Sequence, residues 1–293
     1  LFAVYLRLTG GASRAARGAH LLTDDLPARE VVARLERSSF AGHTRVTFPE
    51  GWTRFDIARR LQQMHVCAQR AFIDASADPD VLAAVHVEGP SAEGFLFPAT
   101  YDLPLDADPN DVVKRMKTEF DRRWAMAEAR HGSSINDLGS SLGWGMRQIV
   151  TLASMVEKEA VADDERALIA SVFVNRLRDP AFTPKILQCD PTAGYGCIAM
   201  PAQIPSCAGF TGKITHDLVA DAANPYNTYK HEGLPPGPIA NPGTKSLEAA
   251  MAPAITKWLY FVAKGDGHST FSETYSAHTS AVRGGKSTAP SAP

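Results

Sequence analysis

The pattern of apolar and polar positions divides the chain into two parts. Before residue 90 the elements are short. Ala3 to Leu8 and the alternating run Thr44-Arg-Val-Thr-Phe48 predict strands, and Pro27 to Glu36 predicts a short helix. Pro49-Glu-Gly-Trp-Thr53 then turns into a helix carrying Ile57, Leu61 and Met64 at helical spacing. Asp78-Pro-Asp80 and Glu88-Gly-Pro-Ser91 punctuate the exit. From Glu93 the texture changes. A loop-like run to Asp102 precedes a helix from about Asn110 to Ala129, and His131-Gly-Ser-Ser and Gly139–Gly145 read as a connection. Gln148 to Ala160 and Asp164 to Leu177 predict a helix pair, with acid at the second N-terminus where the helix dipole favours it. The following hundred residues are rich in Gly, Pro, Asn and Tyr. Two apolar elements interrupt them: Leu247 to Met251, and Trp258-Leu-Tyr-Phe-Val-Ala263, which reads as a buried strand. The end, from Arg283, reads as a disordered tail.

The helix ending Met155-Val-Glu-Lys-Glu-Ala160 carries the most suggestive chemistry. At about 100° per residue, Ile149, Leu152, Ala153, Val156 and Ala160 form one apolar face. Glu157 and Glu159 fall on opposite shoulders of that stripe, each about 80° from its centre. Each is a half-buried carboxyl candidate, and the two cannot face the same cleft; periodicity alone does not choose between them. Desolvation disfavours the charged form of such a group, which suits a general acid working near neutral pH. Two solvated glutamates at a helix end are the ordinary alternative.

Composition narrows the classes. The chain has 293 residues, 44% hydrophobic and 21% charged, as in a globular protein with a real core. The formal charge of −2 gives no electrostatic case for nucleic acid. No apolar run is long enough to span a bilayer, although the chain opens at Leu1 rather than methionine. Of four cysteines, Cys189, Cys197 and Cys207 lie in one Gly- and Pro-rich stretch without histidines at zinc spacing. A loop disulfide, most simply Cys197 to Cys207, and free thiols are both compatible with that spacing. There is no nucleophile elbow, no phosphate loop and no His-x-x-x-His pair. His268 reads either as a site residue or, more commonly, as a histidine satisfying a turn.

Leu187-Gln-Cys-Asp-Pro191 and the stretch from Pro225 to Gly243 are long for linkers. They present Tyr226, Asn227, Tyr229 and Asn241, whose aromatic faces and polar groups suit sugar rings and N-acetyl groups. Tyrosines packed on the core from a Pro-rich surface loop fit the composition equally well.

Several runs, taken in order, resemble the endolytic murein transglycosylase (YceG-like) family. They are Pro49-Glu-Gly-Trp52, Glu93-Gly-Phe-Leu-Phe-Pro-Ala-Thr-Tyr101, Ala153-Ser-Met-Val-Glu-Lys-Glu159, Val172-Phe-Val-Asn-Arg-Leu177 and Leu187-Gln-Cys-Asp-Pro-Thr192. The Pro225–Gly243 stretch, Tyr260-Phe-Val-Ala263 and Phe271-Ser-Glu-Thr-Tyr275 complete the set. With the element order, the resemblance implies an α+β fold. A small LysM-like N-terminal module (1–90) precedes a mixed helical and loop-rich catalytic domain with a few strands (91–283), then the tail (284–293). It also implies cleavage within peptidoglycan glycan strands, without metal or cofactor. The implied location is the inner (cytoplasmic) membrane, through a removed N-terminal helix, with the catalytic domain facing the periplasm or outer side; cell-wall synthetic enzymes are the implied partners.

Lysozyme-like transglycosylases place their acid at a helix end before a small residue, a register that fits Glu159, with Glu157 as a supporting carboxylate. Gln188, Asp190, Tyr226, Asn227, Tyr229 and Asn241 would line the sugar subsites. Two alternatives accompany this reading: a water-using muramidase with Asp190 or Glu157 as second carboxylate, and a non-catalytic wall-binding scaffold. Two departures stand out. Ala99 occupies a position usually acidic in the family, and the cysteine-bearing stretch from Gly196 to Asp221 would reshape or staple one wall of the cleft.

Overall fold

The computed structural model describes residues 27–36 and 42–286. The strand expected at Ala3–Leu8 and the chain from 287 onward lie outside the described residues. The chain runs through α1 (Ala28–Glu36), β1 (His43–Thr47), α2 (Arg54–Gln63), α3 (Gln69–Ala75), α4 (Pro79–Ala84), β2 (Thr100–Pro104), α5 (Pro109–Leu142) and α6 (Met146–Glu159). A 3-10 turn (Asp163–Glu165) leads into α7 (Arg166–Arg178), followed by α8 (Asp190–Ala199), α9 (His216–Ala220) and α10 (Thr244–Met251). The hairpin of β3 (Tyr260–Ala263) and β4 (Ser269–Ser272) and the helix α11 (Tyr275–Lys286) complete the described chain. This is a mixed α+β fold, mostly helical, with two separate two-stranded antiparallel sheets among the described residues.

Local chemistry sets the boundaries. Thr53 caps α2 reciprocally: its hydroxyl accepts from Asp56 N, and the Asp56 carboxylate accepts from Thr53 N. Asp108 caps α5 with Pro109 in the first turn, and Gly143 closes that helix in the left-handed conformation, φ 70°. α5 is longer than the sequence pattern suggests. Gly132, Ser133 and Ser134 do not break it: Ile135 packs against the core and Leu138 is buried, so tertiary packing outweighs their weak helix propensity.

β1 pairs with β2 so that Val46 lies opposite Tyr101, both buried, and Thr47 opposite Thr100 with hydroxyls 2.8 Å apart. Part of the run read as loop-like is therefore a strand, and the pairing crosses the boundary expected at residue 90. A single apolar cluster likewise runs from Val46 through Leu96 and Phe120 to Met251. At its centre α6 packs against α10, α7 and α8. Ile149, Leu152, Ala153 and Val156 are fully buried, the larger three each contributing on the order of 2 kcal/mol of transfer free energy. The predicted apolar stripe of α6 is thus the core-facing one.

Three expectations change. The segment around β3 is half-buried rather than buried, because its sheet has two strands and one side opens on a cleft. α11 continues past residue 284 to Lys286. The expectation of placement at the inner membrane is corrected to a narrower statement: among the described residues no helix is long and apolar enough to cross a membrane. The 34-residue α5 has the length but bears charges such as Lys114, Lys117, Arg122 and Arg123.

Candidate active site

Glu159 is the last residue of α6; at Ala160 the chain turns into extended conformation. Its side chain enters a cleft of about 640 Å³, which also involves Gln188, Asp190, Tyr229 and the β3–β4 hairpin. The Leu187–Asp190 turn is held in place. Gln188 adopts φ 54°, a conformation uncommon for a residue other than glycine, and its N–H donates to Thr228 O at 3.1 Å. Cys189 N donates to Thr228 Oγ1 at 3.0 Å, and Thr192 Oγ1 donates to Cys189 O at 2.6 Å. These bonds fix the start of α8 and hence Asp190, whose Oδ1 accepts from Tyr229 OH at 2.6 Å. Sequence positions far apart thus converge on one wall: Glu159, Gln188, Asp190 and Tyr229.

Burial holds the Glu159 carboxyl above the ordinary glutamate range, and the neighbouring Asp190 charge pushes the same way. The Cys189 thiol, itself buried and held protonated, hydrogen-bonds this carboxyl, and together with Arg176 pulls in the opposite direction. The balance leaves an acid that keeps its proton at higher pH than a solvated glutamate while remaining open to the cleft.

The other predicted residues lie elsewhere. Glu157, two residues away and about 200° around the helix, does not share the cleft. Its side chain is only 7% exposed; Oε2 accepts from Gly243 N at 3.0 Å and Oε1 lies 3.6 Å from Arg166 Nη1. It anchors the end of the Pro225–Gly243 stretch. Asn227 is buried, its Nδ2 donating to three carbonyls, those of Leu218, Val219 and Asp221. Tyr226 is buried edge-on against Tyr195, with ring centroids 4.9 Å apart.

Asn241 is buried as well. Its Oδ1 accepts from Gly94 N at 2.9 Å and Leu96 N at 3.0 Å; its Nδ2 donates to Trp52 O and to Glu93 Oε1. Glu93 also accepts from Arg54 N and Tyr195 OH, and burial raises it to about 7. Irregular backbone brought into a core needs polar partners, and these side chains supply them. The composition that suggested sugar binding therefore serves, at Tyr226, Asn227 and Asn241, to hold the loop.

Cys197 and Cys207 form a disulfide. It closes a satellite cluster with Ala193, Ile204 and Leu218 at the far end of α8, and none of residues 196–221 lines the Glu159 cleft. The expected stapling of a cleft wall is corrected accordingly. Among the described residues no cluster of three side chains could hold a metal ion.

Four cleft residues carry chemistry that local pattern did not assign. Arg176 of α7 lines the floor, and Tyr260 and the stacked His278 line one side. His268 does both things considered for it. Its backbone closes the hairpin turn, with His268 N donating to Asp266 Oδ1 and His268 O accepting from Lys264 N. Its ring lines the cleft, with Nδ1 3.4 Å from Glu165 Oε1.

The chain is 36% identical over 190 residues to an endolytic murein transglycosylase of Bacillus subtilis, covering 64% of this chain and 46% of that protein. It is 28% identical over 239 residues to one of Streptococcus pneumoniae, covering 74% and 40%. The chain thus spans less than half the length of these curated relatives. A crystal structure of a putative yceG-like protein from Listeria monocytogenes superposes with a TM-score of 0.65 at 27% identity, covering 95% of this chain and 88% of that one. The YceG-like family matches residues 1–284, and this chain belongs to that family.

Proposed function

We propose that this chain is an endolytic lytic transglycosylase of peptidoglycan, cleaving the β-1,4 bond between N-acetylmuramic acid and N-acetylglucosamine with Glu159 as proton donor. The observation carrying this reading is a single one: the carboxyl at the end of α6 is desolvated, which raises it above the ordinary glutamate range, and it still opens on the cleft. The names of the relatives supply the substrate class. Glu159 donates its proton to the glycosidic oxygen as the bond breaks. Positive charge develops at the anomeric carbon, where the resulting carboxylate and nearby dipoles stabilise it. The carboxylate then takes the proton of the muramoyl C6 hydroxyl, whose oxygen closes on the anomeric carbon as a 1,6-anhydro ring. One carboxyl acts as acid and then base; Gln188, Asp190 and Tyr229 contact the sugars.

A hydrolytic muramidase is the second reading, favoured by one observation: Asp190 lines the same cleft as Glu159 and could activate water. Mass spectrometry of purified glycan strands incubated with the chain separates the two. New muramoyl ends lighter than reducing ends by one water support the transglycosylase. Reducing ends support the muramidase, and no shortening at all would leave a wall-binding role.

A further inference from the structure

Arg176 presents an unusual combination. Its residue is 6% exposed, in a helix otherwise lined by Ile169, Val172, Phe173 and Val174. Nε donates to Leu259 O and Nη1 to Leu187 O, both at 2.6 Å. The guanidinium carbon lies 5.2 Å from the Phe182 ring centroid and 5.3 Å from that of Tyr260. Two main-chain carbonyls and two rings therefore fix the plane of the group. Yet among the described residues no carboxylate lies within ion-pairing distance of it, and Nη2 has no hydrogen-bond partner. A buried charge is ordinarily paired, because leaving one unpaired is costly. This one borders the cleft that contains Glu159, and its free edge suits a planar oxygen acceptor.

We infer that Arg176 is a specificity-determining residue that receives a carboxylate or carbonyl oxygen of the bound glycan beside Glu159. This rests on the proposed function, which supplies the acceptor. Of the two sugars, only the muramoyl ring carries a lactyl group, ending in a carboxylate when free and an amide carbonyl when substituted. Arg176 thereby reads which sugar sits next to the acid, and so which side of the bond is cut.

Calorimetric titration of the Glu159→Gln chain, which binds without turnover, tests this with three tetrasaccharides. Two alternate N-acetylmuramic acid with N-acetylglucosamine, one with free lactyl acids and one with lactyl amides; the third is the N-acetylglucosamine homo-oligomer. The free acid should bind about tenfold more tightly than the homo-oligomer, with the amide between them. Adding Arg176→Gln should reduce that ratio to about one, with the homo-oligomer affinity of the same variant as the reference. Arg176→Lys should keep part of the ratio. A preference that survives Arg176→Gln overturns the inference alone, as do equal affinities for the three ligands in the Glu159→Gln chain, a result independent of how the Arg176 variants fold. No binding of any glycan overturns both the inference and the proposed function.

Discussion

Two desolvated carboxyls, the buried Glu93 and the half-buried Glu159, sit in regions built from similar materials and end up with opposite uses. Around Glu93, Arg54 N, Tyr195 OH and Asn241 Nδ2 all donate to the carboxylate, and the side chain has no route to solvent. Around Glu159 there is a weak thiol donor, a neighbouring acid, an unpaired guanidinium and a cleft. Both are raised by burial. The closed region has its hydrogen bonds satisfied internally and acts as a fastener; the open one keeps bonding capacity and space for a substrate. A perturbed acid is thus a better guide to chemistry when its surroundings are unsatisfied and accessible.

The largest effect should come from loosening the fastener. Asn241→Ala removes four hydrogen bonds and strands Gly94 N and Leu96 N, while Trp52 O keeps the bond from the main-chain N of residue 241 and Glu93 Oε1 keeps that from Arg54 N. We expect a loss of about 3–5 kcal/mol in denaturant unfolding. A loss below 1 kcal/mol would mean that the node does not hold the loop.

A smaller effect follows from the titration of Glu93. Its folded value is about 7, against an ordinary glutamate value of 4.5. The folded state therefore binds the proton more tightly, and the stability it contributes is complete below about 4.5 and lost as pH rises through about 7. Measured against Glu93→Gln, the wild type should lose on the order of 3 kcal/mol across that window. An equal pH slope in both chains would contradict the closed, desolvated description.

The smallest effect belongs to the cleft wall. Tyr229→Phe removes the hydroxyl that holds Asp190 Oδ1. It should lower kcat/KM for glycan by a few-fold, a cost of about 1 kcal/mol, with little change in the unfolding midpoint. A collapse in stability instead would assign Tyr229 to the fastener class.

Much of the frame was legible because it rests on periodicity. The apolar face of α6 and the pair α6–α7 follow from 3.6-residue spacing, and the division of Glu157 from Glu159 to opposite sides follows from the same geometry. What was not legible depends on what lies on the other side of a residue. Ser133, Ser134 and Gly139 look like breakers until Leu138 is seen to be buried. Asn227 and Asn241 have the same composition whether they bond a sugar or the protein's own carbonyls. Arg176 left a fainter signal, a single arginine after the apolar run Val172-Phe-Val174, whose meaning required the opening beside it.

The central claim is that Glu159, and not its neighbour on the same helix, supplies the proton. The direct measurement is glycan cleavage by Glu159→Gln and Glu157→Gln side by side, at equal folded concentration. Glu159→Gln should lose about 10³-fold in kcat, as for removal of a general acid. Glu157→Gln, which removes the charge facing Arg166 and leaves an amide oxygen to accept from Gly243 N, should lose stability but stay within a few-fold of wild-type kcat. Full activity in Glu159→Gln together with loss in Glu157→Gln would contradict the account.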